Sequence, residues 1–195
     1  VDGRIIVQDF RETAPAAATP DMFAKAIAAH PNGPSPSEFG HLAGAVPGLV
    51  AGRCQALAQF GTMPLKRVLD PAIRLAKSGF PVDEDYVRNT KGVLGTYETH
   101  PSLKQSCGYV YRAHLGGGHP PAAGQTLVQP ELAQLLGEIA SDGPDFFYKG
   151  PVAQAIAREM REHGGIITER DLADYQPRLR EPLLSTYRDY KLILM

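Results

Sequence analysis

Few side chains in this chain of 195 residues could do chemistry, and the first to stand out is Arg11. It lies at the C-terminal end of an apolar, β-branched run and is flanked by Asp9 and Glu12. A guanidinium at a strand end could grip a carboxylate through two parallel N–H···O bonds. On local sequence alone an ordinary ion pair with Asp9 or Glu12 is the better reading. The six histidines are His30, His41, His100, His114, His119 and His163. His114 and His119 share one Gly-rich loop but have no convergent third ligand, so no metal is expected. No GxSxG elbow, P-loop, GxGxxG or HExxH is present, so no catalytic residue is assigned within the chain. Cys54 and Cys107 fall in no CxxC or His-spaced pattern, and nothing in the sequence argues for a disulfide. Cys54 lies on an apolar helical stripe and reads as a small buried hydrophobe.

The elements that would position Arg11 can be read from periodicity and punctuation. Arg4–Phe10 is expected to be a buried strand. Pro47-Gly48 opens a helix with Val50, Cys54, Leu57 and Ala58 on one face, stopped by Gly61. Leu65, Val68, Leu69, Ala72 and Ala76 keep a helical period that Pro71 interrupts. The expectation is therefore two helices, the second capped by Asp70 with Pro71 at its first position. A further helix is expected over Asp83–Leu94, weakened by Gly92, and Tyr109-Val110-Tyr111 reads as a short strand. Pro130 and Pro151 each open a helix, closed by Gly143 and Gly164-Gly165 respectively. The second should turn Val152, Ile156 and Met160 inward and pair Arg158 with Glu162 outward. Thr168 and Asp171 have capping-box spacing for a short helix through Ala173, and Tyr187–Met195 reads as a terminal strand.

Composition narrows the class. Apolar content is 43% and charged content 21%, so neither disorder nor a coiled coil is indicated. The formal net charge of -1 gives no basic face for nucleic acid. No apolar run is long enough for a bilayer span. No leader pattern follows Val1, and the last residues, Leu192-Ile193-Leu194-Met195, need a partner to cover them. The chain reads as a single-domain piece of something longer.

The order of sequence blocks carries a family resemblance. Asp9-Phe10-Arg11-Glu12-Thr13-Ala14-Pro15 is followed by Ala18-Thr19-Pro20-Asp21-Met22-Phe23, then by Ala45-Val46-Pro47-Gly48-Leu49-Val50-Ala51-Gly52. Phe60–Leu65, Pro71–Ala76, Gly79-Phe80, Gly143-Pro144 with Phe147–Gly150, Gly164–Thr168, Asp171–Ala173 and Tyr187–Tyr190 continue it. Together these blocks resemble the large subunit of the γ-glutamyltranspeptidases, with residues 97–124 as a variable loop region. The resemblance implies an α+β fold, part of the αββα sandwich of the N-terminal-nucleophile hydrolases. It also implies a precursor that cleaves itself, so that a Thr at the new N-terminus of the small subunit acts as nucleophile and, through its α-amine, as base. That Thr is expected beyond Met195, on the small subunit from the same precursor, which is the implied partner. Substrates would be glutathione or another γ-glutamyl donor and an amino-acid or peptide acceptor, with no cofactor. Arg11 corresponds to the family's binder of the donor α-carboxylate. A periplasmic or secreted location is implied. The alternatives are a non-catalytic γ-glutamyl-binding or scaffold relative, or a cephalosporin acylase or poly-γ-glutamate depolymerase of the same architecture. An Arg at position 11 fits a γ-glutamyl donor in the transpeptidase and depolymerase branches alike and does less to favour a cephalosporin side chain.

Overall fold

A computed structural model describes Gly3 and residues 5–195. Val1 and Arg4, on which part of the sequence reading falls, lie outside the described residues. Helices dominate, and among the described residues the strands form three small antiparallel pairs. The main core is built from Val46, Tyr148, Ala153, Ile167, Leu172 and Tyr175, all buried. Around it pack α2 (Leu49–Phe60), α8 (Pro144–Tyr148), α9 (Pro151–His163) and α10 (Glu169–Ala173). The α9 residues that reach fully inside are Ala153 and Ala157, with Val152, Ile156 and Met160 half-buried beside them. Small residues on that stripe let neighbouring helices approach closely.

Several boundaries follow from local chemistry as expected. Pro130 opens α7 (Pro130–Asp142), and Gly143 ends it with φ +76. Gly164 closes α9 in the left-handed conformation. The capping box at α10 is complete: the Asp171 N–H donates to Thr168 Oγ1 at 3.2 Å, and the Thr168 N–H donates to Asp171 Oδ2 at 2.8 Å.

Five expectations need correcting. α3 runs unbroken from Leu65 to Ser78 with Pro71 inside it, and Asp70 pairs with Arg74 one turn on rather than capping a second helix. Long packing against α7 holds the helix across the bond that Pro71 cannot donate. The packed stripe is Leu65, Leu69, Ile73 and Ala76, while Val68 stays on the exposed side. α4 (Glu84–Thr99) continues past Leu94, because Tyr97 in its last turn is buried against Leu103 and Leu115. Tyr109-Val110-Tyr111 is helical, within α6 (Gly108–Ala113), which follows the short α5 (Leu103–Ser106). One turn of helix sends Tyr111 inward to stack on Tyr97 at 5.6 Å and leaves Tyr109 exposed, an arrangement a strand could not give. The Arg158–Glu162 pair gives way to Glu159, whose carboxylate meets His41 and His163.

The strand readings change as well. β1 spans only Val7–Asp9 and pairs with β4 (Arg178–Arg180), Val7 opposite Arg180 and Asp9 opposite Arg178. Ile5 and Ile6 are exposed, since a two-stranded ribbon covers one side only. The terminal strand is a hairpin: β5 (Leu183–Tyr187) turns at Arg188-Asp189 into β6 (Tyr190–Leu194). Leu183, Leu184, Tyr187, Tyr190, Ile193 and Leu194 are all exposed on it.

Leu172 is 0% exposed at the centre of the main core. Replacing it with alanine in the full-length protein is expected to lower stability by about 2–5 kcal/mol, read from the denaturant midpoint. A change within about 0.5 kcal/mol, typical of surface substitutions, would show that the core does not depend on it.

Candidate functional site

The segment from β1 to Ala16 is fastened at close intervals, and Arg11 sits in its middle. Upstream, Gln8 Nε2 donates to Gly52 O at 3.1 Å and to Gln55 Oε1 at 2.7 Å, tying β1 to α2. Downstream, Thr13 and Val46 exchange backbone bonds of 3.2 and 2.9 Å, and the Ala16 N–H donates to Asp171 Oδ1 at 2.8 Å. Arg11 itself is held from both sides of its backbone. Its N–H donates to Asp9 Oδ1 at 3.1 Å, and its carbonyl accepts from Tyr175 Oη at 2.9 Å.

Two glycines make room for this. A Cβ on Gly52 would sit 2.2 Å from Phe10 Cγ, and one on Gly48 would sit 2.0 Å from Tyr175 Oη and 2.2 Å from Phe10 O. Gly48 and Gly52 are one helical turn apart, so the start of α2 presents a smooth face on which the Phe10–Arg11 backbone lies. Arg53 caps the Phe10 ring, its guanidinium carbon 5.5 Å from the centroid. Tyr148 fixes the helix start: its hydroxyl donates to Pro47 O at 2.7 Å and accepts from the Ala51 N–H at 3.2 Å. Tyr148 and Tyr175 stack at 5.8 Å, so the clamps on α2 and on Arg11 are one aromatic unit.

Asp9 is the electrostatic pivot. Arg180 Nε donates to Asp9 Oδ2 at 2.6 Å across the β1–β4 ribbon. The backbone N–H of Arg11, and then the Arg180 guanidinium, hold the Asp9 carboxyl below its ordinary value. Burial, followed by the negative charges of Asp9 and Glu12, pushes the Tyr175 phenol up, so it stays a neutral donor to the Arg11 carbonyl. Burial likewise raises the Tyr148 phenol and the Cys54 thiol.

The Arg11 side chain itself is 80% exposed and its Nη2 donates to Glu12 Oε1 at 2.7 Å. Of the two ion pairs open to it in the sequence, it makes the one with Glu12, while Asp9 pairs with Arg180. Arg11, Glu12, Arg180 and Gly48 line a cavity of about 780 Å³. Two arginines far apart in sequence thus line one space. A second cavity of about 700 Å³ lies beyond α2, lined by Cys54, Met63, Tyr148 and Tyr175. The arrangement can present a planar, charged fork to an anion at the cavity edge above a backbone that is hydrogen-bonded from both sides. His114 is taken up by Tyr86, whose hydroxyl lies 2.9 Å from Nδ1. Cys54 and Cys107 are free thiols, both half-buried. The sequence singles out Arg11 as a candidate but gives no sign of Asp9 as its backbone acceptor, or of Tyr175 and Arg180 as neighbours. Both partners come from more than 160 residues away, and no local signal marks them.

This mixture of helices and sheet belongs to the N-terminal-nucleophile hydrolase class: all of the chain superposes, with a TM-score of 0.84 and 35% identity, on 53% of the chain of Helicobacter pylori gamma-glutamyltranspeptidase. Glutathione hydrolase proenzyme of Escherichia coli K12 is 42% identical over 100% of this chain and 32% of its own length. Acylase ACY 1 proenzyme of Pseudomonas sp. SE83 is 38% identical over 98% of this chain and 34% of its own length. The gamma-glutamyltranspeptidase family model matches residues 1–195, and the chain belongs to that family. It spans about a third of the length of these curated relatives. No helix among the described residues is long and apolar enough to cross a membrane.

Two outcomes are expected. Gly52→Ala drives a methyl group into the Phe10 ring, and overpacking of this kind costs about 1–3 kcal/mol, measurable by denaturant unfolding of the full-length protein. Because the folded Asp9 value is lowered, its stabilising contribution is complete above the ordinary carboxylate value of about 3.9 and is lost as pH falls through the lower folded value. Asp9→Asn should therefore be less stable than the parent at neutral pH and lose less on acidification below about pH 4. Parallel acid profiles for the two proteins would remove Asp9 as the pivot.

Proposed function

We propose that this chain forms the donor-binding part of an enzyme that transfers or hydrolyses γ-glutamyl groups, with Arg11 holding the donor α-carboxylate. The observation that carries this is the position of Arg11: an exposed guanidinium on a backbone clamped by Asp9 and Tyr175, at the edge of a cavity. A carboxylate entering that cavity need only displace Glu12, and exposed pairs of that kind contribute about 0–1 kcal/mol. The donor would be glutathione or a related γ-glutamyl compound. Its γ-carbonyl would be attacked by the hydroxyl of an N-terminal Thr contributed by a small subunit of the same precursor. The Thr α-amine takes the hydroxyl proton and returns it to the departing amine. Backbone N–H groups stabilise the oxyanion, and the acyl group then passes to water or to an amino-acid or peptide amine. Proenzyme names among the relatives support a two-part precursor. A periplasmic or secreted location fits an extracellular donor.

The likeness to Acylase ACY 1 favours a second reading, acyl transfer from a donor without the α-carboxylate. Arg11 separates the two. In the full-length protein, Arg11→Ala should lower kcat/KM for a γ-glutamyl anilide by an amount corresponding to about 2–5 kcal/mol. Arg11→Lys should not rescue, because the planar fork is lost. The parent should strongly prefer the γ-glutamyl anilide over the same anilide lacking the α-carboxylate, and Arg11→Ala should erase the preference. Unchanged kinetics on both compounds would overturn the role of Arg11. A parent that prefers the compound without the carboxylate would favour the acylase reading.

A further inference from the structure

His41, Glu159 and His163 form a cluster that the proposed reaction does not use. One ligand atom from each lies within 4.8 Å of the other two. His41 Nε2 is 3.1 Å from Glu159 Oε1, and His163 Nδ1 is 3.4 Å from the same oxygen. In a tetrahedral zinc site with bonds of about 2.0–2.1 Å, ligand atoms stand roughly 3.3–3.4 Å apart, so these two separations already match the edges of a coordination polyhedron. Glu159 and His163 are four residues apart on α9, which puts both on one helix face. His41 arrives from the 3₁₀ turn His41–Ala43, 118 residues away in sequence.

The cluster is built rather than incidental in two respects. His41 is packed in place, its side chain only 12% exposed. The chain at Gly165 comes so near that an added Cβ would lie 3.0 Å from both His41 Cβ and His41 O. His163 Nδ1 also lies 3.1 Å from the Glu159 carbonyl oxygen, a contact that this nitrogen gives up when it turns its lone pair to a metal ion. The position at the C-terminal end of α9 adds the negative end of the helix dipole. The two rings stack at 4.7 Å with an interplanar angle of 17°, so one must turn for both lone pairs to converge. His163, 45% exposed, has the room to do so.

We propose that His41, Glu159 and His163 form a binding site for a divalent transition-metal ion. Two imidazoles and one carboxylate suit zinc and its neighbours, and three protein ligands leave a coordination position for water. The ion would clip the 41–43 turn to the end of α9. Ala43 and Ala45, which follow His41, line the cavity that Arg11 faces, so the clip would also brace one wall of that cavity.

Zinc chloride, titrated calorimetrically into chelator-treated full-length protein, tests this. The expected result is saturable binding of one ion per chain, with a rise in Tm at saturating zinc. Glu159→Gln and His163→Ala change exposed side chains; each should weaken binding by roughly tenfold or more and abolish the Tm rise. Cobalt(II) supplies an independent reading: a visible d–d absorption band should appear with the parent and be lost in both variants. Absence of saturable binding by the parent would overturn the site. Binding that is undiminished in both variants would place the ion elsewhere and overturn it equally.

Discussion

The structure around Arg11 depends on one close contact, the Phe10 ring lying directly on the backbone of α2 where Gly52 has no side chain. Everything that orients Arg11 is conditional on that approach. With the ring seated, the carbonyl of Arg11 comes within reach of Tyr175, and Gln8 can bond to Gly52 and Gln55. The contact is steric in origin but electrostatic in consequence. It brings Asp9 to the ribbon edge where Arg180 neutralises it, and it leaves Glu12 as the surface partner of Arg11. An exposed side chain on a backbone bonded from both sides is what the proposed anion contact would use, since binding would then order little beyond that side chain.

Much of the helical framework was legible in the sequence, because its boundaries are written in residues with one local meaning. Pro130 and Pro151 open helices where no N–H is needed, Gly143 and Gly164 close them, and Thr168 with Asp171 caps α10. Misreadings came where packing overruled local preference. Pro71 should end a helix, yet α3, packed extensively against α7, passes through it. Tyr109–Tyr111 has strand-forming residues, but Tyr111 must face Tyr97, and one helical turn satisfies that.

The site was legible only in part. Arg11 was visible as a charged residue at the end of an apolar run within a run of blocks resembling a known family. Its surroundings were not, since Tyr175, Arg180 and Asp171 reach the segment from the far end of the chain. The same is true of the histidine and glutamate cluster. Sequence spacing picks out His114 and His119, while His41 and His163, which lie far apart in sequence, stack beside Gly165 only in the folded chain.

The long reach of those contacts has a consequence for biosynthesis. Ala16 is bonded to Asp171, Arg11 to Tyr175 and Asp9 to Arg180, sequence separations of 155, 164 and 171 residues. During translation β1 can tie to α2 early, but β4, its strand partner among the described residues, arrives only when almost all of this chain has left the ribosome. The helices between can form as they emerge, but the Arg11 platform is among the last parts to close, at a high loop-closure cost and correspondingly slowly. Until then the edge of β1 that β4 later covers stands open, an unpaired strand edge suited to early capture by a chaperone.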